Sequence, residues 1–168
     1  MASPARRAAR YGALVALALV ASYIEVLVPA PVAIPGVKLG LGNIVVLFTL
    51  ERFGTRSGFA VMAVKVLASA LLFGNPQVLA FSAGGGLLSW AVMAAALRSG
   101  AFSTIAVSVL GGLSHNLGQL AVVALILTPQ VAIASTPVLA VAGLVTGAVI
   151  GVITRAVLAA LPEEVVHG

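Results

Sequence analysis

Apolar residues in this chain run in long uninterrupted blocks, and short clusters of Arg, Gly, Pro and Glu separate them. A bilayer core about 30 Å thick takes roughly 20 helical residues to cross, so each block reads as a membrane-spanning helix. The blocks are 11–28, 39–50, 57–73, 78–97, 102–128 and 137–161. The second is short and follows Pro29, Pro31, Pro35 and Gly36, so it is expected to begin in irregular backbone. Such backbone at membrane depth must be shielded by protein or line a cavity. The first block follows Arg6, Arg7 and Arg10, as the apolar stretch of a secretory signal would. Its length, and the five apolar blocks after it, read it as a retained helix.

Composition agrees. Of 168 residues, 61% are hydrophobic and 8% charged, where soluble domains carry about one-quarter charged residues. The fold class is an all-α integral membrane protein, with no length left for a separate soluble catalytic domain. The charges then fix the expected topology, because cytoplasmic loops collect Lys and Arg. If the short second block spans, Arg6, Arg7, Arg10, Arg52, Arg56, Arg98 and Arg155 share one side and only Lys38 is opposite. If it does not, the arginines scatter to both sides. The expectation is a compact bundle of six transmembrane helices with both termini cytoplasmic. It comprises a basic segment 1–10, one membrane domain 11–161 and a tail 162–168. The net charge of +5 is thus read as orientation in the lipid bilayer and not as a nucleic-acid surface.

Helices in lipid associate through small residues that let backbones approach. Gly143, Gly147 and Gly151 make such a stripe, expected to pack within the chain, with a dimer or partner interface as the alternative. Ala9, Gly12, Ala13 and Ala16 make a second, near the inner end of the first helix. Gly84, Gly85 and Gly86 suggest a kink or break, and Asn75-Pro76 a turn.

Ionisable side chains at mid-membrane are costly, about 2.5–3.5 kcal/mol on insertion scales, and mark function by default. Lys65 and His115 are the two here, each in the middle of its block. Glu25, Asn43, Asn116 and Gln119 are placed around them, and Lys38 just outside. Most intramembrane polar groups then fall from the midplane outward, and the inner halves read as plain Ala, Val and Leu, which suggests a cavity open to the outside. Structural readings compete: Lys65 paired with Glu25 for registry, and His115 as a packing residue bonded to a carbonyl or to Asn116.

Several chemistries lack their residues. The chain has no Asp and no Cys, and its acids are Glu25, Glu51, Glu163 and Glu164. Magnesium-dependent diphosphate chemistry, which needs clustered carboxylates, has no site. Zinc has only His115 and His167, no phosphate-binding loop for ATP is present, and no serine–histidine–acid set shares a depth. No metal, no cofactor and no catalysis are expected.

Three runs carry a resemblance: Pro35-Gly36-Val37-Lys38-Leu39-Gly40-Leu41-Gly42-Asn43, Phe81-Ser82-Ala83-Gly84-Gly85-Gly86, and Gly111-Gly112-Leu113-Ser114-His115-Asn116-Leu117-Gly118-Gln119. Over roughly residues 10–160 they resemble the "Gx transporter" family, also labelled heptaprenyl diphosphate synthase component I. The six-helix layout is similar to the substrate-binding S components of energy-coupling factor transporters. That likeness implies that the loop 29–38 helps to cover an outward pocket. It also implies that the Ala9/Gly12/Ala13/Ala16 stripe packs on a transmembrane coupling protein served by ATPase subunits. The resulting expectation is a solute-binding component that captures a small ligand with at least one anionic group, using Lys65, His115, Asn43, Asn116, Gln119, Lys38 and Glu25. The rivals are a non-catalytic membrane accessory to heptaprenyl diphosphate synthase, and a self-contained transporter using Glu25 or His115 as a proton site.

Overall fold

The computed structural model describes residues 3–27 and 40–161. Among these the secondary structure is entirely helical: α1 (Pro4–Leu27), α2 (Asn43–Phe73), α3 (Pro76–Ser99), α4 (Thr104–Ile126) and α5 (Pro129–Ala160). All five are long and apolar enough to cross a membrane. Their outward faces are those of a bilayer protein: Leu71, Leu125 and Ile133 are 84%, 85% and 72% exposed. The protein is a multi-pass membrane protein.

The helix boundaries follow from local chemistry. Asn75 caps α3 by accepting from the Val78 N–H at 2.9 Å, with Pro76 in the first turn, and Gly100 ends that helix with φ 65°. Ser103 and Thr128 cap α4 and α5 in the same way, at 3.3 and 3.4 Å. Each of these side chains satisfies one amide that the helix itself leaves open.

Five helical elements stand where the sequence suggests six blocks. The second and third blocks are joined in α2, which folds back on itself at Gly54 (φ 82°, ψ 178°). Leu50 packs against Gly58, and the Lys65 Nζ donates to Asn43 Oδ1 at 2.8 Å. Those pairs lie side by side only if the arms 43–53 and 55–73 run antiparallel. The reversal is carried by the Gly54 backbone, which only glycine adopts at little cost. The first arm rises only about 16 Å.

Two further boundaries differ from the sequence reading. The helix expected from Pro137 starts at Pro129, and Pro137 is accommodated inside it, where Thr136 Oγ1 donates to the Ala132 carbonyl at 2.9 Å. The Gly84-Gly85-Gly86 run does not break α3, which continues through it. It lets α3 lie against α4, where Gly84 meets the Gly118 carbonyl and Gly85 meets His115. The Gly143/Gly147/Gly151 stripe packs within the chain, against Gly112, Val109, Ser108 and Ile105 of α4.

One end of the bundle gathers the arginines. Arg10 lies 5.1 Å above the Phe53 ring, Tyr11 Oη is 2.7 Å from Ser57 Oγ, and Thr104 Oγ1 donates to Glu51 Oε2 at 3.1 Å. Arg52 donates to the Leu158 carbonyl at 2.6 Å and to that of Leu161. The start of α1, the fold-back of α2, the start of α4 and the end of α5 therefore share this end. Two apolar clusters fill the interior, one including Leu14, Leu47, Val61, Met93 and Val107, the other Phe81, Leu120, Val123 and Leu139. On both α3 and α4, the Gly85–His115 contact lies between them.

Candidate functional site

The site is assembled where the chain enters α2. Gly40 has φ 90°, and the amides of Asn43 and Ile44 donate to the carbonyls of Gly40 and Leu41 at 2.7 and 3.1 Å. This tight turn aims the Gly40 N–H at Glu25 Oε1, which accepts it. Gly42 is required for space: a Cβ there would lie 2.6 Å from Ser22 Oγ and 3.0 Å from Lys65 Nζ. The spacing Gly40-Leu41-Gly42-Asn43 thus ties α1, the start of α2 and its second arm around one ammonium group.

Lys65 lies 11 residues beyond Gly54 and His115 lies 11 beyond Thr104, each a rise of about 16 Å from the arginine end. Both are near mid-membrane, and both are buried. They line a common cavity of about 20 Å³ with Ser22, Glu25, Gly40, Val66, Ser69 and Ser82. A second cavity of about 10 Å³ lies toward the arginine end, lined by Asn43, Leu47, Ser89, Met93, Ser108, Gly111, Gly112, His115 and Ile150. His115 belongs to both. Each hollow has room for about one water molecule.

Four polar side chains in this region are buried with unpartnered atoms: Ser22 Oγ, Ser89 Oγ, His115 Nδ1, and both the oxygen and nitrogen of Gln119. Burying a hydroxyl or amide without a partner costs about 1–3 kcal/mol by protein mutational data. Ser22 lines the first hollow, Ser89 the second and His115 both, and unmet donors and acceptors beside a hollow are what a bound polar molecule would satisfy.

The structure brings Glu25, Asn43, Lys65 and His115 together. Gln119 is 1% exposed, with its Cγ against Gly85 one turn from His115, though it does not line either cavity. Asn116 points elsewhere: its Nδ2 donates to the Leu139 carbonyl at 2.6 Å, fastening α4 to α5. Lys38 and the loop 29–38 lie outside the described residues. Ala9, Gly12, Ala13 and Ala16 are all exposed, and a Cβ on Gly12 would meet nothing within 4 Å.

The expectation of a purely apolar inner half is corrected. Thr49, Ser89, Ser108 and Thr154 are buried there, 0–3% exposed. These hydroxyls, like those of Ser22 and Ser69, carry no signal in the sequence, because Ser and Thr in apolar helices commonly bond a carbonyl of their own helix. Thr49 does so, to Val45 at 2.7 Å, and Ser69 to Val66 at 3.2 Å. Ser22, Ser89 and Thr154 do not have a partner, a distinction that only packing creates.

The family model described as heptaprenyl diphosphate synthase component I matches residues 14–157. No curated protein and no solved structure matches the chain.

Proposed function

The chain belongs to the heptaprenyl diphosphate synthase component I family, and we propose that it is a membrane-embedded solute-binding component of an energy-coupling factor type transporter. The observation that carries this reading is the buried cavity shared by Glu25, Lys65 and His115, with Ser22 Oγ and His115 Nδ1 unpartnered beside it. With α2 folded at Gly54, the chain crosses the bilayer six times. The arginine end faces the cytoplasm and the termini share it. The hollow is closed to about one water, so a solute enters by separation of the outer ends of α1 and α2. Lys65 and His115 favour a solute with an acidic group. The exposed stripe Ala9/Gly12/Ala13/Ala16 is the docking face for a coupling protein driven by ATPase subunits, because a smooth, unoccupied helix face permits close backbone approach. The chain itself performs no chemistry: no aspartate is available to hold a magnesium diphosphate.

The test is native mass spectrometry of the purified protein for a retained small molecule. Wild type is expected to carry one, and the Lys65→Met, His115→Phe double variant to lose it at unchanged helicity. Retention by the double variant would refute the assignment.

The family's description favours a second reading, a non-catalytic membrane accessory to heptaprenyl diphosphate synthase. It would dock an enzyme on the arginine end. There, Glu51 and Arg52 are engaged with Thr104, Leu158 and Leu161, leaving Arg56 and Arg98 exposed. Co-purification of a synthase that depends on Arg56 and Arg98 would favour this reading.

A further inference from the structure

A wider hollow lies beside the polar cavity. It is a groove of about 180 Å³ between the second arm of α2 and α3, lined by Phe59, Met62, Ala63, Val66, Leu67, Leu79, Ala83 and Leu87. Every lining residue is apolar. Leu67 and Leu87 are 54% and 50% exposed, so the groove opens onto lipid.

Its position relative to the polar cavity is the informative feature. Val66 lines both hollows. On α2 the cavity residue Lys65 precedes the groove residue Val66, and on α3 the cavity residue Ser82 precedes the groove residue Ala83. Polar cavity and apolar groove are therefore two sides of one seam. The Val66 side chain borders both, and Gly86 leaves α3 without a side chain where it meets Met62 and Val66.

We infer that the solute is a long-chain amphiphile with a compact anionic head, which seats its head beside Lys65 and His115 and lays its tail along the α2–α3 groove. This rests on the solute-binding reading above and narrows its ligand class. The physical argument is one of matched solvents. A head group taken from water or the interface finds Lys65 and the unpartnered Ser22 and His115 atoms. A hydrocarbon tail finds a wholly apolar channel at the same depth, and stays in lipid-like surroundings throughout. A fully water-soluble solute would have no use for the groove.

The groove has a built-in reporter. The protein's single tryptophan, Trp90, packs edge-on against Phe59 with ring centroids 5.0 Å apart, and Phe59 forms the groove's inner end. Chain-brominated dodecyl phosphate, added to the full chain in phosphatidylcholine nanodiscs, is expected to quench Trp90 saturably. Unbrominated dodecyl phosphate should reverse the quenching, while dodecanol and inorganic phosphate should each compete at least tenfold less well. Ala83→Leu and Ala63→Leu, which fill the groove from opposite walls, should each weaken binding at least fivefold at unchanged helicity. The Lys65→Met, His115→Phe variant should weaken it at least as much.

Equal competition by dodecanol, or quenching insensitive to the Lys65 and His115 replacements, would mean that only bilayer chains occupy the groove, and would overturn the inference. Equal competition by inorganic phosphate, with the groove variants neutral, would overturn it as well. If dodecyl phosphate has no effect while a co-purified solute is still lost from the Lys65→Met, His115→Phe variant, the amphiphile falls and the polar cavity keeps its role.

Discussion

Asn116 and His115 are neighbours in sequence, but about 100° of helical rotation separates them, and that angle divides their roles. Asn116 holds the Leu139 carbonyl. Its replacement by Leu removes one interhelical bond of a kind worth about 0.6 kcal/mol on average and at most about 1.7. Asn116→Leu should therefore lower the thermal midpoint in detergent slightly and leave retention of the solute untouched. His115→Phe should do the reverse. Parallel melting and mass measurements on the two variants check the pair, and loss of solute from Asn116→Leu would put that residue back in the site. At this scale the sequence reveals Lys65, His115 and Glu25, because an ionisable group deep in an apolar block has no bland surface explanation. It does not reveal that Asn116 turns toward α5, since every residue of the run Ser114-His115-Asn116 is polar or ionisable and the run has no apolar face to orient it. Ser22 and Ser89 stay hidden for the reason their chemistry gives: whether a hydroxyl bonds its own helix is decided by rotamer and packing.

Helix α2 depends on the backbone of one residue. Gly54 sits in a region that only glycine populates freely, and another residue held there costs about 1–3 kcal/mol. Gly54→Ala is expected to lower stability by that amount and loosen the Lys65–Asn43 contact, although a Cβ there meets nothing within 4 Å. A melt unchanged within error would show that the fold-back tolerates a side chain. Helix α1 offers the opposite case. Gly12→Leu places a large side chain where nothing is packed, so the isolated chain should melt as wild type, whereas co-purification with a transmembrane coupling protein should fail. A variant that still co-purifies would move the docking face elsewhere. The sequence shows Gly54 as a breaker between two apolar blocks but not how sharply the chain reverses there. It misplaces the start of α5 because Pro129 and Pro137 both carry the signature of a first helical turn. Thr128 in front of Pro129 supplies the cap, and Pro137 is carried inside the helix. The triple glycine in α3 is ambiguous for a similar reason: the same absence of side chains serves a bend or a close contact, and the facing Gly118 selects the contact.

For the whole molecule, the lack of cysteine makes the orientation directly measurable. Arg56→Cys at the arginine end and Gln130→Cys at the other should react with an impermeant maleimide from opposite sides of the membrane, Arg56→Cys only after the cytoplasmic face is exposed. Labelling of both from one side would overturn the topology. The close glycine contacts carry one more consequence. On one face α4 touches α3 backbone to backbone, through Gly118 and Gly84, and on the other it touches α5 through Gly112 and Gly143. By contrast, α1 is held mainly by side chains such as Leu14, Ala18, Tyr11 and Glu25, with much of its surface bare. Three helices thus lock together spine to spine, while α1 leans chiefly on α2 through side chains: under the proposed function, admitting a guest by parting α1 from α2 would leave the histidine on α4 where it is.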